Sequence, residues 1–109
     1  MTAEVFAVGI SWRSAPVAVR EKFAVPEDEV AAVLEALLQA SAVREVMLLS
    51  TCNRVEVYGA SPPGESEQAV AAVRRILPES RGLAPASVAD VLHSYVRVDA
   101  VRHVYLARL

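Results

Sequence analysis

Two hydrophobic periods alternate along this chain, and their order limits the folds open to it. Residues 4–10, EVFAVGI, alternate and are rich in β-formers, so they read as a strand. Residues 26–40, PEDEVAAVLEALLQA, carry Val30, Val33, Leu34, Leu37 and Leu38 as one apolar helical stripe. Pro26 suits the first helical position, and Glu27, Asp28 and Glu29 suit the positive end of the helix dipole. VREVMLLS (43–50) and RVEVYG (54–59) are strand-like, with so few residues between them that a hairpin is expected. A second amphipathic helix is expected at 67–78, with Ala69, Val73, Ile76 and Leu77 inward, and a fourth strand at 91–98. Strand, helix, strand, strand, helix, strand is the split β–α–β order. It predicts an α+β, ferredoxin-like fold: a four-stranded antiparallel sheet with two helices on one face.

Shorter signals fill in the connections. Pro16 disfavours a helical Ala15, after which Val17 to Phe23 can form a helical turn or two. VDAVRHVYLARL places Val101, Val104, Tyr105 and Leu109 at helical spacing, with Asp99 as the expected N-cap. That run stops on apolar residues with no Gly, Pro or polar tail. A truncated C-terminal helix, belonging to a longer protein, is therefore expected, with residues 1–97 as the domain and 98–109 as the start of the helix.

Composition narrows the function classes. A chain of 109 residues, 54% of them hydrophobic, fits one small domain with a real core. A net charge of −2 lacks the basic footprint of a self-sufficient nucleic-acid binder. One cysteine cannot close an internal disulfide, VFAVGI is too short for a secretory core with a cleavage site, and no apolar run reaches membrane-spanning length. A reducing cytoplasm is the expected compartment.

The chemistry concentrates in LLSTCNRVEVYG, residues 48–59. Cys52 sits where an apolar strand stops and an alternating one begins, flanked by Ser50, Thr51, Asn53 and Arg54. A thiolate needs nearby positive charge, backbone donors or a base, and a turn ending in arginine offers the first two. Three readings stay open on these residues: a nucleophile, a redox-sensing thiol, or a small core hydrophobe inside a non-catalytic binding module. Arg54 can clamp a substrate carboxylate with paired hydrogen bonds, or pair across strands with an acid such as Glu45. Glu56 reads as its exposed neighbour on the same face. His103 can act as acid, base or orienting group, or simply pack, and His93 reads as structural. Arg74, Arg75 and Arg81 can meet RNA phosphates or form a solvated helix end. One Cys and two His far apart in sequence lack metal-ligand spacing, so no metal is expected. The scattered Gly9, Gly59, Gly64 and Gly82 form no dinucleotide fingerprint.

LLSTCNRVEVYG closely resembles the signature of the glutamyl-tRNA reductases, the enzymes that open the five-carbon route to 5-aminolevulinate and tetrapyrroles. VGISWRSAPVAVREKFAVPEDEV resembles that family's start, and DAVRHVYLARL its histidine segment. The resemblance implies a ferredoxin-like catalytic domain in which Cys52 takes the glutamyl group of glutamyl-tRNA as a thioester. NADPH would then reduce the thioester to glutamate-1-semialdehyde. It further implies that Thr51, Asn53 and Arg54 contact substrate and that His103 orients it or handles protons. Residues 98–109 would open a long linking helix. The family's NADPH-binding and dimerisation domains are absent from this chain, so cofactor, homodimer and any hand-off to glutamate-1-semialdehyde aminomutase are expected of the full-length protein. Ser11-Trp12-Arg13-Ser14 departs from the usual Asn-His-Lys-Thr. Leu106 stands where arginine is usual, and Leu109 where serine is.

Overall fold

The computed structural model describes residues 2–107. The strands are β1 (Glu4–Ser11), β2 (Glu45–Ser50), β3 (Arg54–Ser61) and β4 (His93–Val96). The helices are α1 (Val17–Phe23), α2 (Val30–Leu38), α3 (Ser66–Ser80) and α4 (Arg97–Ala107). The sheet runs β2-β3-β1-β4 with every neighbouring pair antiparallel. This is the α+β, ferredoxin-like arrangement that the order of periods predicts.

Strand register sorts the side chains. Phe6, Val8 and Ile10 of β1 stand opposite Gly59, Val57 and Val55 of β3, and Leu48 of β2 stands opposite Val57. These residues share one face, where α2 and α3 close over them with Val33, Leu37, Ala69, Val73 and Leu77. Leu37 and Leu77 are fully buried, so truncating either to alanine costs about 2–5 kcal/mol. The intervening residues Ala7, Gly9, Glu56, His93 and Tyr95 point to the other face, and α4 lies against it.

Boundaries differ from the sequence pattern in informative ways. Glu27–Glu29 form a 3-10 turn capped by Pro26, and α2 begins only at Val30. α3 runs through Pro78 to Ser80. β4 is shorter than 91–98 because Arg97 takes a φ of 55° and swings the chain directly into α4. A positive φ is uncommon outside glycine. Here the Arg97 side chain is held by Ser66 Oγ at 2.8 Å and Glu67 at 3.3 Å. Asp99 consequently sits inside the first turn of α4 and is not its N-cap. The expected helical position of Leu109 lies outside the described residues. Among the described residues, no helix is long and apolar enough to cross a membrane.

Candidate active site

The turn between β2 and β3 presents the cysteine. Ser50 pairs with Val55 across the hairpin, and residues 51–53 connect the two strands. The Thr51 N–H donates to the Arg54 carbonyl at 2.8 Å. Thr51 Oγ1 accepts from the N–H groups of Asn53 and Arg54, both at 3.2 Å. A threonine hydroxyl thus does the work of a backbone acceptor, which is why a short β-branched alcohol suits this position. Two outside groups pin the same turn. Arg20 donates from Nε to the Cys52 carbonyl at 3.2 Å and from Nη1 to the Ala15 carbonyl at 2.7 Å. The Trp12 N–H donates to the Asn53 carbonyl at 2.8 Å. Cys52 itself is a free, exposed thiol, which removes the core-hydrophobe reading.

A buried acid organises the face beneath α4. Glu56 is fully buried, which corrects the expectation of an exposed neighbour. It stands opposite Gly9, and Gly9 stands opposite His93, so the three form one row across β3, β1 and β4. A Cβ on Gly9 would lie 2.2 Å from the Val55 carbonyl oxygen and 2.9 Å from Glu56 Cγ. Glycine there gives the Glu56 side chain room to lie across β1. Arg54 Nη1 and the Tyr58 hydroxyl each donate to Glu56 Oε1 at 2.8 Å. His103 Nε2 lies 2.5 Å from Oε2. The Glu45 partnership considered for Arg54 does not form, because Glu45 pairs with Ala60 at the far end of the hairpin.

The electrostatics follow from this geometry. Burial alone would raise the Glu56 pKa. Hydrogen bonds from His103, Tyr58 and Arg54, with the charge of His103, outweigh burial and hold the carboxyl below its ordinary range. Burial and the adjacent Glu56 carboxylate push the Tyr58 phenol far up, so it remains a donor. Burial lowers the His93 pKa, aided by the positive charges of His103, Arg54 and Arg74 and opposed by Glu56. The rings pack together: His103 stacks on Tyr95 at 4.3 Å, and His93 lies 5.1 Å from His103.

Beside these groups opens a cleft of about 660 Å³, lined by Arg54, His93, Tyr95, His103, Leu106 and the Ser11–Ser14 turn with Trp12. The structure thus brings Arg54 and His103 together through Glu56. Thr51, Cys52 and Asn53 stand on the adjoining turn and are not part of the lining. Trp12 and Leu106, the departures noted in the sequence, both face this cleft. Arg74 is taken up by the Leu92 and Ala89 carbonyls and Ser94 Oγ, and Arg81 by Glu29. Arg75 meets only Glu79, one helical turn on, in an exposed pair at the solvated surface of α3. Glu56, Tyr58, His93 and Arg20 are the site residues that the sequence pattern passed over. Its one available signal was Gly9 inside a strand, opposite the alternating Arg54-Glu56-Tyr58 face.

Comparison with known proteins adds the following. The family described as glutamyl-tRNA(Glu) reductase, N-terminal domain, matches residues 8–107. The glutamyl-tRNA reductase of Syntrophotalea carbinolica is 38% identical over 98 residues, covering 90% of this chain and 22% of that protein. The glutamyl-tRNA reductase of Magnetococcus marinus is 41% identical over 96 residues, covering 88% of this chain and 22% of that protein. The structure of glutamyl-tRNA reductase from Methanopyrus kandleri matches with a TM-score of 0.61 at 24% identity, over 93% of this chain and 21% of that one. That likeness is one of fold. The chain spans 22% of the length of these curated relatives.

Proposed function

This chain belongs to the glutamyl-tRNA reductase family, matching its N-terminal domain, and from that premise we propose that it carries the step in which the glutamyl group passes from tRNA to protein. The observation that supports this most is the exposed Cys52 thiol on a turn pinned by Thr51, Arg20 and Trp12, two residues from an arginine that lines a cleft. In the proposed step the Cys52 thiolate attacks the ester carbonyl of glutamyl-tRNA. A carbon–sulfur bond forms and the carbon–oxygen bond to the terminal ribose breaks. The electron pair leaves with the ribose oxygen, which takes up a proton, and the glutamyl group remains as a thioester.

The other residues take roles from their positions. Arg54 keeps Nη1 on Glu56, and its remaining N–H groups suit a substrate carboxylate. His103, fixed between Glu56 and Tyr95, is the group to orient substrate or pass the proton to the ribose oxygen. Thr51 and Asn53 hold the turn that the substrate must approach. Residues 1–97 are taken as the catalytic domain and 98–109 as the opening of a linking helix.

NADPH finds no cradle in these residues. Gly9 and Gly59 lie in strands, and Gly64 and Gly82 lie singly at positive φ, so no glycine-rich turn opens a helix for a pyrophosphate. The residues present do not fit the cofactor, and the reduction to glutamate-1-semialdehyde is assigned to parts of a longer protein. A homodimer and delivery of product to an aminomutase are assigned there too, in a cytoplasmic enzyme. The test follows loss of the ester from glutamyl-tRNA with time. Cys52→Ser is expected to slow it to the background rate. Unchanged ester loss in that variant contradicts the proposal.

A further inference from the structure

Glu56, His93 and His103 come from β3, β4 and α4, and one donor atom from each lies within 4.8 Å of the others. Sequence spacing argued against a metal because the one cysteine and the two histidines lie far apart along the chain. The fold brings the two histidines together on the face beneath α4 and adds Glu56 as a third donor. We propose that Glu56, His93 and His103 form a binding site for a divalent transition metal of the zinc class, with its open coordination position facing the cleft.

The donor chemistry fits. Two imidazole nitrogens and one carboxylate oxygen form a three-ligand set on which zinc keeps a fourth position for water or substrate. Glu56 already divides its two oxygens. Oε1 takes Arg54 and Tyr58, and Oε2 faces both imidazoles. Ligated carboxylates are held in this way by outer hydrogen bonds. His93 supplies a second, independent indication. Both its ring nitrogens are buried without a hydrogen-bond partner among the described residues, and Nε2 lies 3.4 Å from Glu56 Oε2. Buried polar atoms are normally satisfied, so an unsatisfied imidazole aimed at a carboxylate is open to a ligand. Donor atoms around tetrahedral zinc stand about 3.3 Å apart. The His93–Glu56 distance already matches. The His103–Glu56 pair, at 2.5 Å, needs to open by less than about 1 Å as the metal replaces the shared proton. The cleft lined by His93 and His103 leaves space at the remaining position.

A metal held here would occupy the His103 nitrogen that otherwise meets Glu56, so loading would work against any proton transfer by His103. The binding itself stands whether or not Cys52 carries a glutamyl group.

The test uses Co(II) as a spectroscopic probe on the whole chain carrying Cys52→Ser, which removes the exposed thiol as a competing ligand. The expected result is a single set of visible ligand-field bands, displaced by zinc. His93→Gln should abolish them, and Tyr58→Phe should weaken binding by about ten-fold through loss of a bond to the ligating carboxylate. Absence of bands, or bands unchanged in His93→Gln, overturns the site. Should His93→Gln fail to fold, side-chain nitrogen NMR of the unsubstituted histidines decides. The chain has two histidines, so each signal can be followed. Zinc should shift the Nε2 signals of both, and a shift of neither or of one alone overturns the proposal.

Discussion

Replacing Gly9 by alanine tests whether the buried acid depends on a thinned strand. The new methyl carbon would stand 2.2 Å from the Val55 carbonyl oxygen, 2.7 Å from Glu56 Cα and 2.9 Å from Glu56 Cγ. The first two are backbone atoms of a central strand, so no side chain can swing aside to relieve the contact. β1 and β3 must separate, and their ladder hydrogen bonds with them. Overpacking a rigid site costs about 1–3 kcal/mol, and backbone displacement takes this case to the top of that range or above. The gain from a stiffer unfolded chain, about 0.4–1 kcal/mol, does not offset it. The net loss is then at least about 2 kcal/mol, and with about 4 °C per kcal/mol for a domain near this size the melting temperature should fall by at least about 8 °C. Gly64→Ala is the control. Gly64 has a φ of 79° and nothing within 4 Å of an added Cβ, so its cost is backbone strain alone, about 1–2 kcal/mol. Thermal and urea melts followed by far-UV circular dichroism compare the two. A Gly9→Ala loss no larger than that of Gly64→Ala refutes the reasoning.

Glu56→Ala removes one partner from a buried charge cluster and strands Arg54 and His103, so urea melts should show a loss of about 3–5 kcal/mol. Glu56 also sets an acid limit: its folded pKa lies below the ordinary 4.5, so its contribution is complete above that value and disappears as pH falls through the folded pKa. Melting temperature against pH should show this decline, and Glu56→Gln should flatten it. Arg20→Met releases the Cys52 carbonyl while keeping most of the side-chain bulk. It should slow glutamyl transfer by more than it changes the melting temperature, and equal rates in both proteins would show that the turn needs no such anchor.

The helix-bearing face was legible in the sequence because its residues obey period two in the strands and period 3.6 in α2 and α3. The other face was not. Arg54, Glu56 and Tyr58 alternate with valines and so look like a solvent edge, and only the placement of α4 makes that edge an interior. His93 and Glu56 could not be connected before the register was known, since their neighbourhood runs through Gly9 on a third strand. The boundary between β4 and α4 departs from the sequence pattern for a local reason. Arg97 turns the chain by a left-handed conformation that favours glycine, and nothing in its residue type announces this. Ser50, Thr51, Asn53 and Arg54 marked the surroundings of Cys52 as a polar turn, and Thr51 does close that turn; whether the thiol is exposed or buried was not legible until the fold placed it.

The most direct measurement is the intact mass of the protein after brief mixing with glutamyl-tRNA, followed by hydroxylamine. The account predicts a gain of a single glutamyl group, carried on the peptide containing Cys52, removed by hydroxylamine and absent from Cys52→Ala. A folded protein as long as its relatives that gains no such mass, or that gains it equally in Cys52→Ala, would contradict the assignment of Cys52 as the acceptor.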